Sequence, residues 1–264
     1  MRLTKGPAWI LAVAATLASA VFQRMTGPTY PFRGRAAVSG SDIRYRLPRS
    51  ADNSRDCEIS VRVTDVRLAG RVSYRRHRTE EPWTDLPLER RGDRLTASLP
   101  RQPAAGKLAY RVFIGAPGNE ISLTGGVPVI IRYKRSVPTA VIILHVLVMF
   151  SALLFSAMAG IDSLFRTHNP RRYAVKAAAF LFVGGFILGP VVQKIAFGVY
   201  WAGFPFGTDL TDNKTLISMI AWIAALVAGR KGKAARGWVF TASLITLVIN
   251  LIPHSLMGSE HKYL

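Results

Sequence analysis

The stretch TAVIILHVLVMFSALLFSAMAG, at residues 139–160, decides the fold class. Its 22 residues include no Asp, Glu, Lys or Arg. A helix needs about 20 consecutive apolar residues to cross the hydrocarbon core of a bilayer, so this stretch predicts a membrane-spanning helix. Further apolar runs follow at residues 173–198, 215–229 and 238–258, and another lies at residues 8–22. The chain is therefore expected to contain four transmembrane helices and an additional N-terminal helix.

The region between the apolar runs has a different composition. Residues 28–135 contain 21 Lys and Arg against 11 Asp and Glu, and the whole chain has a net charge of +20 and a mean hydropathy of +0.22. A basic charge alone suits nucleic acid, but soluble basic proteins are rarely this apolar, so no nucleic-acid partner is expected. The composition predicts an N-terminal segment at 1–27, a polar domain at 28–136 and a transmembrane domain at 137–264.

Lys and Arg in the short loops predict the orientation of the chain. The loops RTHNPRR (166–172) and RKGKAAR (230–236) are basic, and the N-terminus carries Arg2 and Lys5. Because cytoplasmic loops are enriched in Lys and Arg, these segments are expected in the cytoplasm. The protein is thus expected to be a multi-pass membrane protein with its N-terminus in the cytoplasm. Its polar domain, the loop at 200–214 and its C-terminus would then lie on the outer side of the membrane.

The N-terminal segment allows two interpretations. Ala18, Ser19 and Ala20 form an A-x-A match to a signal-peptide cleavage site. The apolar run nevertheless continues through Phe22 before Gln23, as it does in a signal anchor. A retained signal anchor is the expectation, and a cleaved signal peptide is the alternative.

The polar domain has the pattern of short β-strands. The runs ISVRVTDV, GRVSYRRH, RLTASLP and KLAYRVFIG alternate between apolar and polar residues, and turn residues separate them. The order of Tyr74, Trp83, Leu99-Pro100 and Tyr110 resembles that of immunoglobulin-like and fibronectin-III modules of bacterial envelope proteins. The resemblance implies an Ig-like β-sandwich, without an activity. Trp83 is expected to be buried in its core.

The whole layout resembles a family of bacterial inner-membrane proteins with an external Ig-like domain and a four-helix membrane unit. The motifs behind this resemblance are TGPTYPFRG (26–34), FPFGTDLTDNKT (204–215) and PHSLMGSE (253–260). The resemblance implies a bacterial inner membrane, with the polar domain and the C-terminus in the periplasm, and it implies no activity.

Polar residues gather at the predicted outer ends of the transmembrane helices. Such groups are costly at membrane depth and are often functional. Three interpretations stay open: a hydrogen-bonded structural cluster, a haem b or quinone site at His145 and His254, or an ion or substrate pathway. The remaining members of the cluster are Gln193, Lys194, Asp209, Asp212, Asn213, Lys214 and Asn250.

The loop FPFGTDLTDNKT supplies four members of this cluster. Thr211, Asp212 or Asn213 is expected to cap the following helix, because each residue type accepts bonds from the N–H groups of a first turn. Asp209 is left without a role by this interpretation. Its spacing from Asp212 and Asn213 is too short and too common to predict a calcium site, so no metal is expected.

The motif search favours a protein that is not an enzyme. The chain has no GxGxxG, P-loop, HExxH, GxSxG or CxxC motif, and its single cysteine, Cys57, excludes an intrachain disulfide. The expected function is an accessory or scaffolding subunit of a larger membrane complex, of which a bioenergetic complex is one example. The alternatives are an electron-transfer subunit that binds haem b or quinone, and a small transporter or envelope sensor. The expected partners are the lipid bilayer and other membrane proteins. The basic run at 75–78 has two interpretations: a solvated strand face, or a docking site for an acidic partner or lipid headgroups.

Overall fold

The computed structural model describes residues 4–165, 169–228 and 234–253. Contacts divide the chain into two compact units, which are described separately below. The β unit comprises Thr29–Ser136, and the helical unit comprises the described residues up to Pro28 and those from Val137 to Pro253.

The helical unit contains α-helices and one π-helical segment. The π segment, Phe182–Leu188, joins α3 to α4 without a break. The α-helices are α1 (Lys5–Thr26), α2 (Thr139–Phe165), α3 (Pro170–Leu181), α4 (Gly189–Phe197), α5 (Leu210–Ala228) and α6 (Ala234–Leu251).

Four helical spans of the described chain are long and apolar enough to cross a membrane. They are Lys5–Thr26, Thr139–Phe165, Pro170–Phe197 and Leu210–Ala228. At 1.5 Å per residue even the 19 residues of α5 extend about 28 Å, close to the thickness of the hydrocarbon core. A shorter apolar helix, Ala235–Leu251, overlaps the last predicted span, 238–258. Residues 254–258 of that span lie outside the described residues. These spans indicate a membrane protein.

A stripe of small residues lets α1 lie close to α2 and α6. The buried side chains of α1 are Ala8, Ala12, Thr16 and Ser19, whereas its large apolar side chains are exposed. Small residues at this spacing allow two helix backbones to approach closely in a membrane. The first apolar run of the sequence therefore forms part of the helical unit.

The β unit contains eleven strands in three sheets among its residues Thr29–Ser136. The strand orders are β1-β2, β4-β8-β7 and β3-β11-β9-β5-β6, with β10 also paired to β9. The β3–β11 pair is parallel, and the other pairs are antiparallel. The strands are β1 (Phe32–Val38), β2 (Ser41–Leu47), β3 (Ser50–Asp52), β4 (Cys57–Arg62), β5 (Ala69–Arg76), β6 (Thr84–Pro87), β7 (Glu89–Arg91), β8 (Arg94–Leu99), β9 (Lys107–Ala116), β10 (Asn119–Ser122) and β11 (Val129–Lys134).

One hydrophobic cluster joins all three sheets. Alternate residues of β9 point into it, because side chains along a strand face opposite sides in turn; Leu108, Tyr110, Val112 and Ile114 are all buried. Tyr110 has no exposed surface, and its hydroxyl donates a hydrogen bond of 2.7 Å to the carbonyl oxygen of Pro48. The core of the β unit therefore includes a buried tyrosine whose polar end has a partner.

Trp83 corrects one sequence expectation, since it is half-buried and lies outside this cluster. The guanidinium groups of Arg75 and Arg111 lie 4.8 and 4.3 Å from the centre of its ring. Both arginines lie on the faces of β5 and β9 opposite the core, so the tryptophan covers the outside of the sheet. Side chains along a strand alternate between its two faces, so an error of one residue puts a side chain on the wrong face. The sequence pattern before β6 does not determine which face Trp83 occupies.

The basic run at residues 75–78 is partly engaged within the β unit. Arg75 lies over Trp83, and Arg76 forms an ion pair of 3.1 Å with Glu81. Both contacts reduce the availability of these cations for an external partner.

The reactivity of the Cys57 thiol tests whether this side chain of β4 is buried. Its side chain packs against the hydrophobic cluster, and this burial raises the pKa of the thiol to about 11. An ordinary thiol has a pKa of about 8.5, so at pH 8 the folded protein holds roughly 10²-fold less of the reactive thiolate than the unfolded chain. Alkylation by iodoacetamide, followed by mass spectrometry, should be slow in the native protein and rise with pH. Equal rates with and without denaturant would show that Cys57 is not buried.

Candidate functional site: the polar loop between α4 and α5

Asp212, in the first turn of α5, binds the loop that joins α4 to α5. One of its carboxylate oxygens, Oδ2, accepts hydrogen bonds from the backbone N–H groups of Ala202 (2.6 Å) and Gly203 (3.1 Å). The same oxygen accepts a bond of 3.1 Å from the side-chain amide of Gln193. Asp212 is only 6% exposed. The carboxylate therefore fastens the loop to both flanking helices.

Asn213 and Gly203 complete this attachment. The side-chain oxygen of Asn213 accepts a hydrogen bond of 2.7 Å from the N–H of Phe204. A Cβ atom added to Gly203 would lie 2.6 Å from Cβ of Asp212 and 2.7 Å from Oδ1 of Asn213. The loop backbone thus approaches α5 so closely that only glycine fits there.

Asp209 caps α5, which corrects the expectation for residues 211–213. The helix begins at Leu210, and Oδ1 of Asp209 accepts a bond of 2.9 Å from the N–H of Thr211. A carboxylate in this position satisfies a free N–H of the first turn and suits the positive end of the helix dipole. The helix starts earlier than the apolar pattern suggests, because its first turn is polar.

Lys194 and the loop aromatics close the C-terminal end of α4. The ammonium group of Lys194 donates a bond of 2.8 Å to the carbonyl of Gly198 and lies 5.0 Å from the ring centre of Tyr200. Trp201 stacks on Phe186 at 5.5 Å, and its indole N–H donates to the carbonyl of Phe204. Lys194 is therefore used within the loop.

Lys214 links α5 to the end of α6. It is 5% exposed, and its ammonium group donates a hydrogen bond to the carbonyl oxygen of Ile252. The free carbonyl groups after a helix carry partial negative charge, so a lysine there is stabilising. Lys214 therefore joins the loop end of α5 to α6 through the backbone.

Asn250 belongs to a separate group that includes α1. The side-chain amide of Gln23 donates to the backbone oxygen of Asn250 at 2.6 Å and to its side-chain oxygen at 3.1 Å. The amide of Asn250 in turn lies 3.3 Å from the hydroxyl oxygen of Ser19. Sequence reasoning missed Gln23 and Ser19, although a Gln at the end of an apolar run was a signal that a partner was needed.

His145 lies beside the π segment. It hydrogen-bonds the backbone of Gly184, and its Cε1 would lie 3.7 Å from a Cβ added to Gly189. Its Nδ1 atom is buried without a hydrogen-bond partner among the described residues. His254 lies outside the described residues, so the structure does not test the predicted pair of His145 and His254.

The predicted set thus divides into distinct groups. Gln193, Asp212 and Asn213 hold the loop, Asp209 caps α5, and Lys194 and Lys214 bind carbonyl groups. Asn250 binds α1. Within residues 4–165, 169–228 and 234–253, no three His, Cys, Asp or Glu side chains converge as metal ligands.

Comparison with models of known protein families and with curated proteins finds no match to this chain. The interpretation of the site therefore depends on its geometry.

Proposed function

We propose that this chain is a non-enzymatic integral membrane protein that serves as an accessory or scaffolding subunit of a larger membrane complex. The observation that supports this role is the use of the polar loop. The buried carboxylate of Asp212 accepts three hydrogen bonds. They come from the backbone N–H groups of Ala202 and Gly203 and from the side-chain amide of Gln193. All three bonds go to Oδ2 and hold the loop and α4 in place, so this oxygen has a structural use, as buried polar groups with partners usually do.

The strand order supports an Ig-like sandwich for the β unit. In the constant-type Ig fold, one sheet has the order A-B-E-D and the other contains C, F and G as neighbours. The sheet β4-β8-β7 corresponds to B-E-D, and β5, β9 and β11 correspond to C, F and G. We take this unit to be a binding module in the periplasm of a bacterial cell, next to its inner membrane.

Reporter fusions test this placement. A reporter joined after Gly232 is expected on the cytoplasmic side, because it lies in the basic loop 230–236 and cytoplasmic loops are enriched in Lys and Arg. A reporter joined after Leu264 is expected on the periplasmic side, because one further predicted helix separates it from that loop. Both positions lie outside the described residues, so the test depends on the sequence alone. A periplasmic signal after Gly232 would contradict the proposed orientation.

Purification from native membranes tests the scaffolding role. A tagged full-length chain, extracted in a mild detergent, is expected to co-purify with a membrane protein in constant stoichiometry. Asp212→Ala is the test variant. If the loop positions the partner, this variant should retain less of it than the wild type at equal expression. A wild-type chain that purifies alone as a monodisperse species would contradict the proposal.

Binding of haem b or a quinone beside His145 is the second candidate function. The specific observation that favours it is the buried Nδ1 atom of His145, which has no partner in the described part of the chain and lies next to a π-helical segment. Segments of this kind occur often at functional sites, and histidine is a common axial ligand of haem.

The visible spectrum separates the two candidate functions. The scaffolding role predicts a colourless protein, in which His145→Ala lowers only the melting temperature in detergent. A Soret band that is present in the wild type and lost in His145→Ala would support an electron-transfer subunit instead.

A further inference from the structure

A cleft rich in arginine lies in the β unit between β2 and the β4-β8 pair. Its volume is about 500 Å³, and the charged and polar residues that line it include Arg44, Arg46, Glu58, Ser60, Arg62 and Arg94. Ligand sites for small molecules have volumes of roughly 300–1,000 Å³. The cleft is therefore large enough for a compact ligand.

The cleft exists because β2 and β4 run near each other without pairing. In the described residues β2 pairs only with β1, and β4 pairs only with β8. After Pro48 the chain continues into β3, which pairs with β11 in another sheet. The edges of β2 and β4 thus remain apart and leave a gap between them.

The charges that line the cleft are poorly balanced. The lining has four arginines and one acid, Glu58. Arg62 forms an ion pair of 2.5 Å with Asp93, and Arg94 donates to the hydroxyl of Ser60 at 3.1 Å. Arg44 reaches Asp42 only at 4.0 Å. Arg46 forms no ion pair with any described residue, so a net positive charge faces the gap.

The neighbouring strand increases this imbalance. Across the β1–β2 ladder, Arg33 lies directly opposite Arg46 and Arg35 directly opposite Arg44. All four are exposed on the same face. Like charges in opposite positions destabilise a strand pair, and a bound anion would offset this repulsion.

We propose that this cleft binds a phosphate group that carries more than one negative charge, either in a lipid headgroup or in a soluble molecule. The guanidinium group matches phosphate oxygens with two parallel hydrogen bonds, and every cation that lines the cleft is an arginine. The hydroxyl of Ser60 adds a further polar group. This proposal is independent of the scaffolding role.

Binding of inorganic pyrophosphate to the full-length protein tests the site. The protein is placed in nanodiscs of zwitterionic phosphatidylcholine, and binding is measured by calorimetry. The double variant Arg46→Gln/Arg94→Gln should bind at least tenfold more weakly than the wild type. The matched control Arg67→Gln/Arg76→Gln removes the same charge outside the cleft and should bind within twofold of the wild type.

Folding of the variants is checked by their melting temperature. Removal of Arg46 relieves its repulsion with Arg33, so the cleft variant should melt no lower than the wild type without ligand. Pyrophosphate should raise the melting temperature of the wild type and of the control variant only. Equal binding by the two double variants, no binding by the wild type, or equally tight binding of citrate would overturn the proposal.

A second set of nanodiscs identifies the source of the phosphate. With one fifth of the lipid replaced by phosphatidic acid, whose phosphomonoester headgroup can carry more than one negative charge, a headgroup in the cleft would compete with pyrophosphate. Its affinity for the wild type would then fall severalfold more than its affinity for the cleft variant. An equal change in both would support a soluble phosphate compound as the ligand.

Discussion

Asp212→Ala is expected to lower the free energy of unfolding of the helical unit by about 3 kcal/mol, since each buried donor left unsatisfied costs about 1–3 kcal/mol and water replaces part of the loss. The substitution leaves three donors without their acceptor, from Ala202, Gly203 and Gln193. The measurement is equilibrium unfolding of the purified full-length protein in mixed detergent micelles.

Two further variants interpret this result. Thr208→Ala changes an exposed side chain of the same loop and should shift stability by no more than about 0.5 kcal/mol. Asp212→Asn keeps an acceptor oxygen in the place of Oδ2 but makes its three bonds neutral, so it should lose about half as much as alanine, since charge-assisted hydrogen bonds are about twice as strong as neutral ones. If asparagine were as damaging as alanine, the charge itself would matter, and a cation site would become the better interpretation. If alanine were as silent as Thr208→Ala, the carboxylate would not hold the loop.

Tyr110→Ala is expected to destabilise the β unit by about 3–5 kcal/mol, the usual cost of truncating a buried aromatic side chain. This is a large part of the roughly 5–15 kcal/mol that stabilises a typical domain. The substitution also removes the hydrogen bond to Pro48. Limited proteolysis of the full-length protein, with fragments assigned by mass, should show rapid cleavage within residues 29–136.

Trp83→Ala is the matched control for the same assay. Its ring stacks between Arg75 and Arg111 on the outside of the sheet, and cation–π contacts at exposed sites contribute about 0.5–1 kcal/mol each. Protease resistance should therefore fall much less than in Tyr110→Ala. The reverse order of the two effects would mean that Trp83 occupies the core and Tyr110 does not.

The helices and the division into a polar and an apolar part could be predicted from the sequence, because each depends on a pattern that extends over many neighbouring residues. The uncharged run at 139–160 lies within α2, and the apolar run at 8–22 lies within α1. The strand runs ISVRVTDV and KLAYRVFIG likewise overlap β4 and β9. Burial over many residues determines these features, so a single misjudged position does not remove them.

The roles within the loop were less accessible, because they depend on single contacts. Asp209 and Asp212 both lie near the start of α5, and an aspartate is a good cap for a helix. Only the backbone of residues 202 and 203, which folds back onto Asp212, decides which of them is the cap. The partner of Asn250 is 227 residues away at Gln23, a distance over which a local pattern carries no information.

The contact between Asn250 and Ser19 also has a consequence for biogenesis. The two residues are separated by 231 positions, so Ser19 and Gln23 leave the ribosome long before their partner is synthesised. The hydroxyl of Ser19 also donates to the carbonyl of Thr16 within α1, but the amide of Gln23 must be satisfied by water, headgroups or insertion machinery during this interval, because unpaired amides are costly in hydrocarbon. A chain that stops before α6 would leave this amide without its partner, so the packing of α1 among the other helices is complete only after α6 is synthesised.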